Sequence, residues 1–154
     1  MTKMRLRSNE LPVEAGWRLI RWYAETGSNE FTFSCLAAAT QEGRFCAAAE
    51  QALASFAVGF DRRPPTTLGK NEASLRKVKL WRLNEQSLRV LQQLLPDGLF
   101  TDRQGSDEGW IEDLTVYQDG QLRVGVITHE KQATIHLTDS EQEELRGLGV
   151  LPRD

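Results

Sequence analysis

The alternation of apolar and polar positions is clearest between Trp110 and Val150. Two runs rich in β-branched and aromatic residues flank Asp119-Gly120, a preferred centre for a type I′ hairpin turn because both central positions need positive φ. That turn pairs Gln118 with Gln121, Tyr117 with Leu122, Thr115 with Val124 and Asp113 with Val126. A second turn at Glu130-Lys131 pairs His129 with Gln132, Thr128 with Ala133, Val126 with Ile135 and Val124 with Leu137. Side chains alternate across a strand. Thr115, Tyr117, Leu122, Val124, Val126, Ala133, Ile135 and Leu137 therefore fall on one nearly apolar side, predicted to face the core. The other side carries Glu112, Leu114, Val116, Arg123, Gly125, Ile127, His129, Thr134 and His136. This mixture predicts a face that is partly wet or covered by a partner. The meander then runs into a helix start, because Thr138 and Glu141 match the T-x-x-E capping box. Leu145 and Leu148 are predicted to pack inward, with Gly147 or Gly149 closing the helix.

Upstream, Leu11 to Thr26 reads as a helix capped by Asn9, with Val13, Trp17, Ile20 and Ala24 on one face and Gly27 as its stop. Glu30 to Ala39 is ambiguous: Phe31 to Cys35 suits a strand, whereas Leu36 to Ala39 suits a helix. Gln41 to Val58 reads as a helix with a Phe45, Ala49, Ala52, Phe56 stripe and Gly59 as its end. Asp61 to Asn71, with Pro64 and Pro65, reads as an exposed loop or internal linker. Leu75 to Leu83 alternates as a half-exposed strand. Asn84 caps a helix aligning Leu88, Leu91 and Leu95, which ends at Pro96-Asp97-Gly98. Thr101 to Gly109 is a polar, acidic loop. The pattern predicts a single α+β domain over residues 1–154. A helix-rich N-terminal half packs on a C-terminal antiparallel meander closed by a helix, and the Val78–Leu83 strand joins the sheet at an edge.

The chain has 154 residues, enough for one domain with a core of its own. No basic-then-apolar leader opens it, and no apolar run reaches the length of a membrane span. Cys35 and Cys46 admit one bond between them. The plainer reading is two reduced, buried thiols in a cytoplasmic protein. The net charge of −3 conceals an asymmetry, with residues 61–96 at +5 and residues 97–154 at −8.

The chemistry-bearing residues form no catalytic signature. His129 and His136 lack the zincin spacing. In the predicted register they lie roughly 13 Å apart along the strands, too far to share one ion. His136 is expected to cover Gly125. Glu112 and Asp113, adjacent on a strand, should point to opposite faces. The cluster Asp102, Asp107, Glu108, Glu112 and Asp113 lacks calcium-loop spacing. No metal and no cofactor is expected.

These features favour a small protein-binding module of the immunity, inhibitor or adaptor kind. Its contact residues would be Asp107, Glu108, Glu112, Leu114, Val116, Arg123, Ile127 and His129, and its partner would be another protein, of basic character. An alternative is nucleic-acid binding through the segment 62–89, using Arg62, Arg63, Lys70, Arg76, Lys77, Lys79, Trp81 and Arg82. This is weaker, because alternating cations also protect an edge strand. The third alternative is an enzyme using His129 or His136 with a nearby carboxylate.

Overall fold

The computed structural model describes residues 1–36, 44–65, 75–103 and 109–153. Among them, one antiparallel sheet has the order β1-β7-β6-β5-β2-β4-β3. Its strands are β1 (Thr2–Arg7), β2 (Glu30–Leu36), β3 (Ala57–Arg63), β4 (Arg76–Arg82), β5 (Trp110–Gln118), β6 (Gln121–Ile127) and β7 (Gln132–Leu137). The helices are α1 (Val13–Glu25), α2 (Arg44–Ala52), α3 (Glu85–Leu94) and α4 (Asp139–Gly147). Their apolar residues, including Trp17, Ile20, Ala49, Leu91 and Leu145, share one core with Phe31, Trp81, Leu114, Val116, Val124 and Ile135 of the sheet. The fold is thus α+β, with helices on one sheet face.

The N-terminal half is not helix-rich, because strands come first and recur. Met4 and Leu6 alternate with Lys3, Arg5 and Arg7, and β1 lines the sheet by pairing with β7. Two apolar positions are too few to reveal a strand without its neighbour. The helix expected over 41–58 spans Arg44–Ala52, with residues 41–43 outside the described residues. Ala57–Arg63 leaves it as β3 because pairing with β4 satisfies its backbone. The expected loop at Asp61 is therefore partly strand, and β4 is the penultimate strand, with β3 at the edge. Pro12, and not Asn9, precedes α1 as its N-cap. Of the ambiguous stretch, Glu30–Leu36 is strand β2, and residues 37–39 lie outside the described residues.

Local signals held where short-range chemistry sets them. The Asp119-Gly120 turn has φ of 50° and 86°. Asn84 accepts from the Ser87 amide, and Thr138 from the Glu141 amide. At the end of α4, the Val150 amide donates to Leu145 and the Gly149 amide to Arg146, a Schellman closure. Leu145 is buried, but Leu148 is 49% exposed.

The meander's register departs from expectation in two ways. Tyr117 faces Leu122 as predicted, but Val116, not Thr115, faces Val124. One extra residue, Arg123, bulges from β6, so every pair beyond it shifts by one. The shift places Leu114 and Val116 against the helices, and Tyr117 and Leu122 in a second cluster with Leu80. The second turn is a longer 3-10 turn, Thr128–Glu130, closed by Lys131 at φ 53°. It pairs Val124 with Ile135, a two-residue shift that preserves the faces.

The bulge also buries Arg123, expected on the mixed face, to 6% exposure. Its guanidinium donates to Gln118 Oε1 at 2.6 Å, Glu141 Oε2 at 3.1 Å and the His136 carbonyl at 3.2 Å. It also lies 5.0 Å from the Tyr23 ring centroid. Burial pushes the Tyr23 phenol well above its ordinary value. The Glu141 carboxyl is held below its usual range. Partial burial acts against this, but the Thr138 hydrogen bonds and the Arg123 charge outweigh it.

Cys35 and Cys46 are joined as a disulfide with Cα atoms 5.8 Å apart, correcting the expectation of reduced thiols. The bond ties the end of β2 to the first turn of α2. No helix among the described residues is long and apolar enough to cross a membrane.

Two tests follow. Arg123→Ala should lower the unfolding free energy by about 3 kcal/mol in urea titration, because it strands the polar groups around it. A depressed Glu141 pKa contributes stability above the ordinary glutamate value of about 4.3, which is lost as pH falls through the lower folded value. Glu141→Gln should therefore flatten the decline of the urea midpoint below about pH 4. Separately, thiol titration should find no reactive cysteine before reduction. Cys35→Ser with Cys46→Ser should cost about 2–3 kcal/mol for a loop of this length.

A cleft between diverging strands

Two bulges position a concavity among the described residues. In β3, Ala57 pairs with Trp81 but Gly59 pairs with Leu80, so Val58 is extra. Gly59 takes φ 131° there, a value few other residues tolerate. Between β2 and β5, the register shifts after Thr32 and Thr115, next to Asp113 at φ 58°. Bulges bend a strand and increase its local twist. At this level β2 and β4 part. Their ladder comprises Glu30 with Arg82 and Phe31 with Trp81. Beyond it, β2 continues to Leu36 paired with β5, and β4 reaches back to Arg76 paired with β3.

A cleft of about 360 Å³ occupies the divergence. Thr32, Phe33 and Ser34 form one wall and Arg76 to Lys79 the other, with Asp113, Thr115, Tyr117 and Pro65 completing it. The Thr32 hydroxyl donates to the Lys79 carbonyl at 2.6 Å near the closed end. Tyr117 donates to the Pro64 carbonyl at 2.9 Å, and burial pushes its phenol up to about 12 against the opposing charge of Arg63. On the helix side, Trp81 stacks on Phe33 at 4.4 Å between centroids and on Phe31 at 5.9 Å.

The basic residues fall into two groups. Arg63 is engaged by Glu30 and Asp61, Lys79 by Glu50, and Arg89 by Glu85. Arg62, Arg76, Lys77 and Arg82 are exposed, with no ion pair among the described residues. Trp81 is only 2% exposed, so it is not available to stack on a base. The exposed aromatic of this region is Phe60 at 66%, with Lys77 Nζ 5.3 Å from its ring centroid. The sequence pattern leaves it unassigned, between the expected helix end at Val58–Gly59 and the expected loop from Asp61. Its alternation with Val58 across Gly59 was the available signal.

The acidic contact set divides differently. Asp107 and Glu108 lie outside the described residues, as does Lys70 of the basic segment. Leu114, Val116 and Arg123 are buried inside, and Ile127 is half-buried at the end of β6. Contrary to the alternation argument, Glu112 and Asp113 point to one side. Asp113 sits in the left-handed region, and donor atoms of Glu112, Asp113 and His129 lie within 4.8 Å of one another. The groups of this set already have structural work. The Asp113 amide donates to Thr128 Oγ1, the Thr128 amide donates to Asp113 Oδ1, and Trp110 donates to Glu112. The cluster pins β5 to the β6–β7 turn. His129 is exposed in that turn, and His136 pairs with Lys3, leaving Thr134 opposite Gly125.

No family model matches the chain, and neither a curated protein nor a solved structure shows significant similarity to it.

Asp113→Ala should cost about 2 kcal/mol in chemical denaturation, since it strains a left-handed position and strips the buried Thr128 amide of its acceptor. Asp113→Asn, which tolerates that backbone and keeps an acceptor, should cost less than half as much.

Proposed function

We propose that this chain is a small protein-binding module without catalysis of its own, acting as immunity, inhibitor or adaptor proteins act, and that the cleft between β2 and β4 is its contact site. The observation that carries this reading is the interruption of the sheet. The shared ladder of β2 and β4 stops at Phe31 and Trp81, and beyond it Thr32–Ser34 and Arg76–Lys79 line one cleft without pairing. Unpaired strand edges are templates for another chain. The exposed cations beside the cleft favour an acidic partner there, in place of the basic partner that the acidic C-terminal half suggested. The Cys35–Cys46 bond favours an oxidising compartment over the cytoplasm.

A second reading, single-stranded nucleic acid, draws on Phe60 with Arg62 and Lys77 beside it. One experiment separates the two. A photo-crosslinking residue at Ser34, in the cleft, is compared with one at Glu143, exposed on α4, in the cells that make the protein. The protein-binding reading predicts a discrete protein adduct at Ser34 only, lost when Arg76 and Lys77 are both changed to Glu. Nucleic-acid adducts, or identical patterns at both positions, overturn it.

A further inference from the structure

We infer that the cleft takes an extended, acidic segment of a partner protein as an additional strand, inserted between β2 and β4 of the sheet. This rests on the protein-binding reading of the same cleft and specifies how the partner enters.

If the β2–β4 ladder continued past Phe31 and Trp81, Ser34 would face Val78 and Leu36 would face Arg76. No such pairs exist, although β2 stays paired with β5 and β4 with β3. The Thr32 hydroxyl bridges to the Lys79 carbonyl, so among the described residues the edges without a shared ladder are Phe33–Leu36 and Arg76–Val78. Ser34, Cys35, Arg76 and Lys77 are exposed there, so the edges are accessible. An ordinary edge strand offers donors and acceptors on one side of a guest, whereas this cleft offers them on both. Adjacent strands lie about 4.8 Å apart, so a guest strand needs β2 and β4 separated by roughly twice that distance. Because β2 and β4 are antiparallel, the guest is antiparallel to one and parallel to the other.

Side-chain chemistry selects the guest. Phe33 and its stack with Trp81 lie on the helix side and suit an apolar residue. Arg76 and Lys77 flank the cleft without carboxylate partners among the described residues, whereas Arg63 and Lys79 are already neutralised. Asp113 is the one carboxylate on the described lining. The guest is accordingly a strand-forming segment in which acidic residues alternate with β-branched ones.

The test uses the full chain and a capped eight-residue peptide of alternating Glu and Val. Controls are the same peptide with alternate amides N-methylated, its Lys–Val counterpart and a single-stranded oligonucleotide. Binding is read by fluorescence anisotropy, and the site by amide hydrogen exchange. Strand insertion predicts at least tenfold loss of affinity on N-methylation and on Arg76→Glu with Lys77→Glu. It also predicts slowed exchange in both 33–36 and 76–78. Protection confined to β1 or β3, equal binding of the N-methylated peptide, preference for the oligonucleotide, or no binding at millimolar peptide overturns the inference. If the Ser34 crosslink still captures a protein in any of those cases, the cleft binds its partner by another mode and only the strand insertion fails. If it captures none, both readings fall. The N-methylated peptide needs no change to the protein, so misfolding of a variant does not decide the outcome.

Discussion

The architecture depends on how β5 is enclosed. Leu114 to Tyr117 is buried without interruption, so both edges and both faces of that strand must be occupied. β6 and β2 supply the edges, and the helices cover the face that carries Leu114 and Val116. Two single-residue irregularities then set which side chains reach that core. Asp113 lets Ile111 and Leu114, three positions apart, both pack inward. Arg123 turns a guanidinium into the space between α1 and α4, where Tyr23 and Glu141 hold it. A sheet without these offsets would bury Thr115 and Tyr117 against the helices and expose Val116.

The same device explains the cleft. The bulges at Val58 and beside Asp113 lie on either side of the point where β2 and β4 separate. The β3–β4 pair and the β2–β5 pair bend away from each other, while the Phe31–Trp81–Phe33 stack holds the closed end. The disulfide from Cys35 fixes the far end of β2 to α2, and Lys79 reaches Glu50 on the same helix. The divergence is thus braced from the core side, and among the described residues its two strands share no ladder beyond Phe31 and Trp81.

What the sequence made legible follows the range of each interaction. The Asp119-Gly120 turn, the caps at Asn84 and Thr138, α1, α3, α4 and β4 are set by neighbours within a few residues, and their positions were predicted closely. β1 and β3 exist through partners far along the chain, β7 for one and a bulged β4 for the other, and short local patterns did not reveal them. A bulge has no reliable local signature. One inserted residue therefore misassigned Leu114 and Val116 to a surface and Arg123 to a contact site. The basic segment was recognised as a unit. Its division into neutralised and free cations, and the loss of Trp81 to the core, required the fold.

The account turns on whether β2 and β4 stay apart beyond Phe31 and Trp81. Cross-strand nuclear Overhauser contacts in the free protein measure this directly. The account predicts strong backbone contacts between Phe31 and Trp81 and between Glu30 and Arg82, and none between Ser34 and Val78 or Leu36 and Arg76. Strong contacts at those last two pairs would show a continuous ladder and contradict it.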